Sequence, residues 1–334
     1  MTYQIAIKLG SSNTSIFKQG EGIVLFEPSL IAYTGSGKER VIKAIGTKAK
    51  KMLGRTDDQT FVVSPIFEGK IADNDLAVVM LKSYLAKVMG GGLLRPKIKA
   101  VVCVPLGLTT NERKAFEKVC YMAGIQDVVL VPAVMCGALG YNLPISAPNG
   151  CCLVNIGGGS TDIAVASINT IIAGVNIGVG GDTISSAIER HFYNNFKLQV
   201  GKGVGEAVKI EIGSLYKNDI SNTEICGMDL DSKLAKNVVV ESNAVYDAIA
   251  PYYEKIIEAI KSVLNSCPPN VVDDIDKQGI YLFGGGSLIT GCEQFFKKRL
   301  ETNIIIEDHT TAIDVIGAGK LLSDAKMLKE FSEI

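Results

Sequence analysis

Two stretches of this chain carry the same strand, glycine turn and strand. "IAIKLGSSNTSIF" (5–17) aligns with "CLVNIGGGSTDIA" (152–164) without a gap, so that Gly10 meets Gly157, Thr14 meets Thr161 and Ile16 meets Ile163. In each, apolar residues run up to a cluster of Gly, Ser, Asn or Thr, the pattern of a buried strand entering a turn. A duplicated unit of this kind implies two domains of related fold, and 334 residues are enough for both. One position breaks the likeness. Lys8 stands where the second copy has Asn155, two residues before the glycine of a turn whose small residues suit an anion.

The remaining pattern is α/β. "IKAVVCVPLGL" (98–108) reads as an apolar strand, and "TTNERKAFEKVCYMAG" (109–124) as a helix with a Thr/Asn start and Gly124 as its stop. "VVLVPAVMCGALGYN" (128–142) is a strand running into a small-residue helix. "GVGGDTISSAIERHFYNNF" (178–196) opens a helix behind glycines, with Asp182 placed to cap it. "GEAVKIEIGSL" (205–215) and "AVYDAIAPYYEKIIEAIKSVLNSC" (244–267) have helical period, the second stopped by Pro268 and Pro269. "GIYLFGGGSLITGCEQFFKKRL" (279–300) is strand, glycine turn and helix. Strands alternating with helices place the chain in the α/β class. The stretches at about 33–65 and 183–243 are more polar and irregular and read as inserted subdomains.

Three glycine-rich turns therefore follow strands: Gly10–Thr14, Gly157–Thr161 and Gly284–Ser287. Their small residues let backbone N–H groups approach phosphate oxygens, and a helix after the third would favour an anion at its N-terminus. No G-x-x-x-x-G-K-[ST] occurs, which excludes the usual Walker site. A net charge of −1 recommends neither nucleic acid nor an anionic membrane as a bulk partner. The eight cysteines lack zinc spacing; Cys151 and Cys152 sit side by side in a strand-like run, face opposite ways, and read as reduced core residues of a cytoplasmic protein. The strand pattern starts almost at residue 1, leaving no signal-peptide pattern, and no apolar run approaches the ~20 residues of a membrane-spanning helix.

The set "KLGSSNTSIF", "NIGGGSTDIAV", "GVGGD", "GEAVKIEIGS" and "LFGGGSLITG" resembles the phosphate, connecting and adenosine segments of the actin-like ATPase superfamily. "EGIVLFEPSLIAY", "AIGTKAKKMLGRT", "SPIFEGKIADNDLAVVMLKSYL" and "RPKIKAVVCVPLGLTTNERKA" narrow the likeness to the bacterial actin family MreB, over about residues 4 to 322. That resemblance implies an actin-like α/β fold with a nucleotide cleft between two related domains. Domain I would be 1–145 plus 315–334, with a small insertion at about 33–65; domain II would be 146–314, with an insertion at about 183–243. It implies ATP or ADP held by Gly10, Ser11, Ser12 and Asn13 and by Gly157, Gly158, Gly159 and Ser160. Gly180, Gly181 and Asp182 would lie near the sugar, and Glu206 and Lys209 would flank ribose and base. Gly284, Gly285, Gly286, Ser287 and Leu288 would close over the adenosine. Read without the family, Glu206 and Lys209 are better explained as a solvent-exposed ion pair on one helical face.

The chain departs from this family where the chemistry happens. The family usually has aspartate at the positions of Lys8 and Asn155, serving magnesium, and an acidic pair where "PAVMCGALG" places Pro132 and Ala133. Ser160 replaces a threonine and keeps its hydroxyl; Thr161 and Asp162 remain as residual candidates. Losing a water-positioning group alone costs on the order of 10²-fold in rate, and Lys for Asp repels a divalent cation. The expectation is a cleft that grips ATP, hydrolyses it weakly and depends little on Mg²⁺. Lys8 would answer a phosphate tail or, equally, pair with a local carboxylate such as Asp162 or stay partly solvated.

The resemblance further implies self-association into filaments governing cell shape, with paralogous actin-like proteins as further partners. Divergent paralogues in wall-less helical swimming bacteria tie the family to motility as well. "VMGGGLLRPK" (88–97) puts Leu93 and Leu94 beside Arg95 and Lys97, which suits shallow contact with the inner face of the cell membrane. A non-polymerising regulator of other filaments, or a sugar-kinase-type enzyme on the same fold, are the alternatives. The second needs a general base that the altered positions do not supply.

Overall fold

The computed structural model describes residues 2–90 and 97–332. Leu93 and Leu94, the expected membrane contact, lie outside the described residues. Two five-stranded sheets organise the chain. In space the first runs Asp127–Pro132, Lys97–Val104, Thr2–Leu9, Asn13–Lys18 and Gly22–Pro28. The second runs Ile304–Ile305, Ile280–Phe283, Cys151–Ile156, Thr161–Ser167 and Thr170–Ile177. Each is an antiparallel three-strand meander extended by two parallel strands, so the repeat seen in thirteen residues extends to whole-sheet topology. The hairpin registers also correspond: Lys8 opposes Ser15 in the first sheet as Asn155 opposes Asp162 in the second.

Both insertions leave their sheets at the turn end, because Pro28 lies opposite Asn13 and Ile177 opposite Thr161. Neither insertion is irregular, which corrects the sequence expectation. The first holds strands Ile31–Thr34, Val41–Ile45 and Thr60–Val63 with a helix at Thr47–Met52. The second holds helices Gly181–Asn195 and Val204–Ile212 and strands Leu198–Val200, Asn222–Asp229 and Ala235–Glu241. These strands are short or largely solvent-facing; Ala235–Glu241 buries only Val240 outright, so no clean apolar alternation marks it.

Local chemistry explains the helices that the sequence showed well. Thr109 caps Thr110–Ala123 in a reciprocal box, its hydroxyl accepting from Glu112 N at 3.3 Å while Thr109 N donates to Glu112 Oε2 at 2.8 Å. Gly124 ends that helix at φ 104°, where a side chain would be strained. Helices Asn74–Met89 and Thr110–Ala123 cover one face of the first sheet, and Ser242–Asn265 helps cover the second.

A third core lies between the sheets, where Ala6 and Val101 from the first meet Leu153 and Phe283 from the second around helices Ala133–Gly140 and Ile313–Leu321. Cys151 belongs to this middle core and Cys152 to the core of the second sheet, both reduced and fully buried, as their opposite facing requires. The two central helices touch through backbone. A methyl group on Gly317 would lie 1.8 Å from the Cys136 carbonyl oxygen, and one on Gly140 2.2 Å from that of Ile313. Burying roughly 1.5–3 kcal/mol per large apolar side chain on both sides of each sheet holds these layers together.

Candidate functional site

The turns ending Thr2–Leu9 and Cys151–Ile156 converge with the segment after Ile280–Phe283 on one cleft, a cavity of about 490 Å³. Gly10, Ser11, Ser12 and Asn13 line one wall and Gly157, Gly158 and Gly181 another. Glu206, Lys209, Gly285, Gly286 and Leu288 line the remainder. Gly159 and Ser160 border a smaller recess of about 50 Å³ together with Lys8, Ala133, Asn155 and Asp162. Four expected residues act behind the surface. Gly180 packs against Gly158, where a methyl group would lie 2.5 Å from the carbonyl oxygen. Gly284 takes φ 87° and donates its N–H to Thr310 O at 3.0 Å. Ser287 Oγ donates to Gly284 O at 2.8 Å, and Thr161 Oγ1 to Val179 O at 2.6 Å. Pro132 ends its strand within the core and contributes no polar side-chain group.

Three details differ from the sequence reading. Asp182 does not cap its helix, which begins behind Gly180 with no side-chain cap; Asp182 Oδ1 accepts from Ser12 Oγ at 3.1 Å, joining the first turn to the helix beside the second. Burial pushes the Asp182 carboxyl up despite that bond and the nearby Lys209. Glu206 and Lys209 are not paired with one another. Lys209 Nζ donates to Gly181 O at 2.7 Å and Ser185 Oγ at 2.9 Å, and its pKa is lowered by burial. Glu206 is reached by Lys50 at 3.2 Å, so the two insertions touch across the cleft. The helix after the third glycine turn starts only at Cys292, because Gly285–Leu288 first form a 3-10 turn.

The largest difference concerns Lys8. Its Nζ lies 2.5 Å from Asp314 Oδ2, with side chains 20% and 1% exposed. Burial alone would depress this ammonium, but the Asp314 carboxylate outweighs it and the pKa is raised. The local-carboxylate reading therefore names the right kind of partner and the wrong residue. Asp162, also buried, instead accepts from Leu106 N at 3.0 Å and Asn176 Nδ2 at 2.7 Å. Burial raises the Asp162 pKa to about 6, against those bonds and the pull of Lys8. Asp314 and Asn176 gave no signal in sequence. Asp314 starts a small-residue helix more than three hundred positions from Lys8, and only the fold brings them together.

The side chains at the first turn are a poor set of ligands for a divalent ion. Around the recess the cleft offers an ammonium already paired with an anion, a methyl group at Ala133, an amide at Asn155 and a single carboxylate, Asp162, whose Oδ1 already accepts from Leu106 N and Asn176 Nδ2. Asn155 is 5% exposed and its Oδ1 has no hydrogen-bond partner among the described residues. Nor does any cluster of three or more His, Cys, Asp or Glu suit a metal among them.

Comparison with known proteins agrees with this geometry. The family model MreB/Mbl protein matches residues 2–330. The cell shape-determining protein MreB of Escherichia coli (strain K12) is 32% identical over 321 residues, 95% of this chain and 92% of that protein. The cell shape-determining protein Mbl of Bacillus subtilis (strain 168) is 32% identical over 327 residues, 97% of each. The structure of MreB5 of Spiroplasma citri bound to AMPPNP superposes with a TM-score of 0.90 at 28% identity, covering 97% of both chains. A MamK double helical filament shares the fold, with a TM-score of 0.81 at 20% identity over 97% of this chain and 99% of that one.

Proposed function

The chain belongs to the MreB/Mbl family, and from that premise we propose that it is an actin-like cytoskeletal protein that binds ATP, assembles into filaments governing cell shape, and hydrolyses its nucleotide slowly. The observation that carries the reading is the contrast inside one cleft. Three small-residue turns remain around a cavity of nucleotide size, whereas the positions that would serve metal and water hold Lys8, Asn155 and Ala133 at the recess and Pro132 in the core behind it. Binding of ATP would rest on the turns Gly10–Asn13 and Gly157–Ser160, with Glu206 and Lys209 at the ribose and base and Leu288 over the adenosine. The N–H groups after Gly10 and Gly157 would face the phosphates, because Gly10 N and Gly157 N already donate to Asn13 O and Ser160 O. Lys8 would supply positive charge that a divalent ion supplies elsewhere, leaving binding nearly independent of Mg²⁺.

Hydrolysis asks for more than grip: a positioned water and neutralised charge on the transferred group. Asp162 is the remaining carboxylate at the recess, and Leu106 N and Asn176 Nδ2 both donate to its Oδ1. We read domain I as 1–145 plus 315–334 and domain II as 146–314, which puts the Lys8–Asp314 pair on the seam between them. Structures of a relative with AMPPNP and with ADP support nucleotide binding, and the family supports self-association. Leu93 and Leu94 would add contact at the inner face of the membrane, and the divergent cleft suits a specialised role such as motility.

One sample tests the core of this. Phosphate release and sedimentation are followed together with ATP, with and without Mg²⁺. Filaments that pellet while releasing phosphate about 10²-fold more slowly than an ordinary bacterial actin are expected. Release at the ordinary rate, or no ATP binding, overturns the reading.

A further inference from the structure

The same ammonium of Lys8 faces two ways. It lines the cavity beside Gly10, Ser11 and Gly157, and it is held 2.5 Å from the buried Asp314 carboxylate. Asp314 is itself fixed: its Oδ1 accepts from Val315 N at 2.8 Å, and its carbonyl oxygen accepts from Cys103 Sγ at 3.7 Å. We propose that Asp314 is an internal anion that competes with the polyphosphate of a bound nucleotide for Lys8, and so sets how tightly the cleft holds its ligand. The proposal rests on the nucleotide reading above and deepens it.

Charge balance carries the step. An ammonium next to a buried carboxylate presents a neutral pair to the cleft, so an arriving phosphate meets less attraction than it would from a free lysine. To engage Lys8 fully, the phosphate must share or take the ion pair now made with Asp314, and it must do so beside an anion that is 1% exposed and whose Oδ2 accepts no hydrogen bond among the described residues. Both effects weaken binding. The pair also stabilises the empty cleft, since a lysine left in that strand without a partner would be costly. A protein that cleaves its nucleotide slowly can renew it only by exchange, and a counter-anion that loosens the grip keeps exchange open.

The test uses the full chain and ATP without divalent ions, read by calorimetric titration and thermal melting. Asp314→Asn keeps the side-chain shape and removes the competing charge. It is expected to melt at a lower temperature when empty and to bind ATP about tenfold more tightly than the wild type, a modest return for removing one competing charge. These opposite signs separate competition from a merely structural role, which would weaken binding and stability together. A second variant, Lys8→Met with Asp314→Leu, replaces the pair with apolar groups that can fold without a buried ion. It should bind ATP at least about tenfold more weakly than Asp314→Asn, because it lacks the ammonium that Asp314→Asn leaves free for the phosphate. Asp314→Asn binding no tighter than the wild type, or no tighter than the double variant, overturns the competition. Failure of the wild type to bind ATP overturns the reading of the cleft instead.

Discussion

The two hairpins that floor the cleft are copies in topology and opposites in charge. The first sets Lys8 across from Ser15; the second sets Asn155 across from Asp162. In each, one residue is ionisable and the other has a buried oxygen without a hydrogen-bond partner among the described residues: Ser15 Oγ and Asn155 Oδ1. The positive hairpin is neutralised from outside, by Asp314 of a helix that crosses beneath it. The negative hairpin is satisfied by neutral donors, Leu106 N and Asn176 Nδ2. A duplicated scaffold can thus hold its backbone turns constant while the charges placed on them diverge. The turns fix where a phosphate could sit, and the side chains fix what can be done to it.

The sharpest way to break this comparison is to remove each ionisable group in turn. Lys8→Met should cost about 3–5 kcal/mol in urea denaturation near neutral pH, because it strands the Asp314 carboxylate. A cost below about 1 kcal/mol would mean the pair is not what stabilises the first hairpin. Asp162→Asn should have a smaller effect, and one that depends on pH. The Asp162 pKa is raised from 3.8 to about 6 by burial, so the folded state holds a proton that the unfolded state gives up. That contribution is fully present below about 3.8 and lost as pH rises to about 6. Stability of the wild type relative to Asp162→Asn should therefore fall across that window and level off above it. A flat difference between the two would show that burial does not perturb this carboxyl.

Part of this was legible from sequence because it rests on local rules. The Thr109 box, the Gly124 stop, the opposed burial of Cys151 and Cys152 and the three glycine turns each depend on residues within a few positions of one another. Where a side chain answers something distant, local reading failed. Asp182 looked like a cap and instead meets Ser12, 170 positions away. Glu206 and Lys209 have helical spacing yet are claimed by Lys50 and by Gly181. Lys8 was visibly anomalous, but nothing in the sequence pointed to Asp314. The resemblance to a family supplied the cleft; only the fold supplied the counter-charge.

Milder changes refine the contrast between hairpins. Asn155→Ala removes a buried oxygen that has no donor and should cost less than about 1 kcal/mol, or nothing, in thermal melting. Ser15→Ala should lie within about 0.5 kcal/mol of the wild type for the same reason. A loss of 2 kcal/mol or more at either site, on the scale of a made and charged hydrogen bond, would reveal a partner for that oxygen.

The backbone contact between helices Ala133–Gly140 and Ile313–Leu321 has a mechanical meaning. With no side chains between Gly317 and Cys136 there is nothing to yield under sliding, whereas rolling about the touching point disturbs few atoms. Asp314 sits one turn from that contact, so the anion that answers Lys8 is carried by a helix that cannot slide without moving its neighbour.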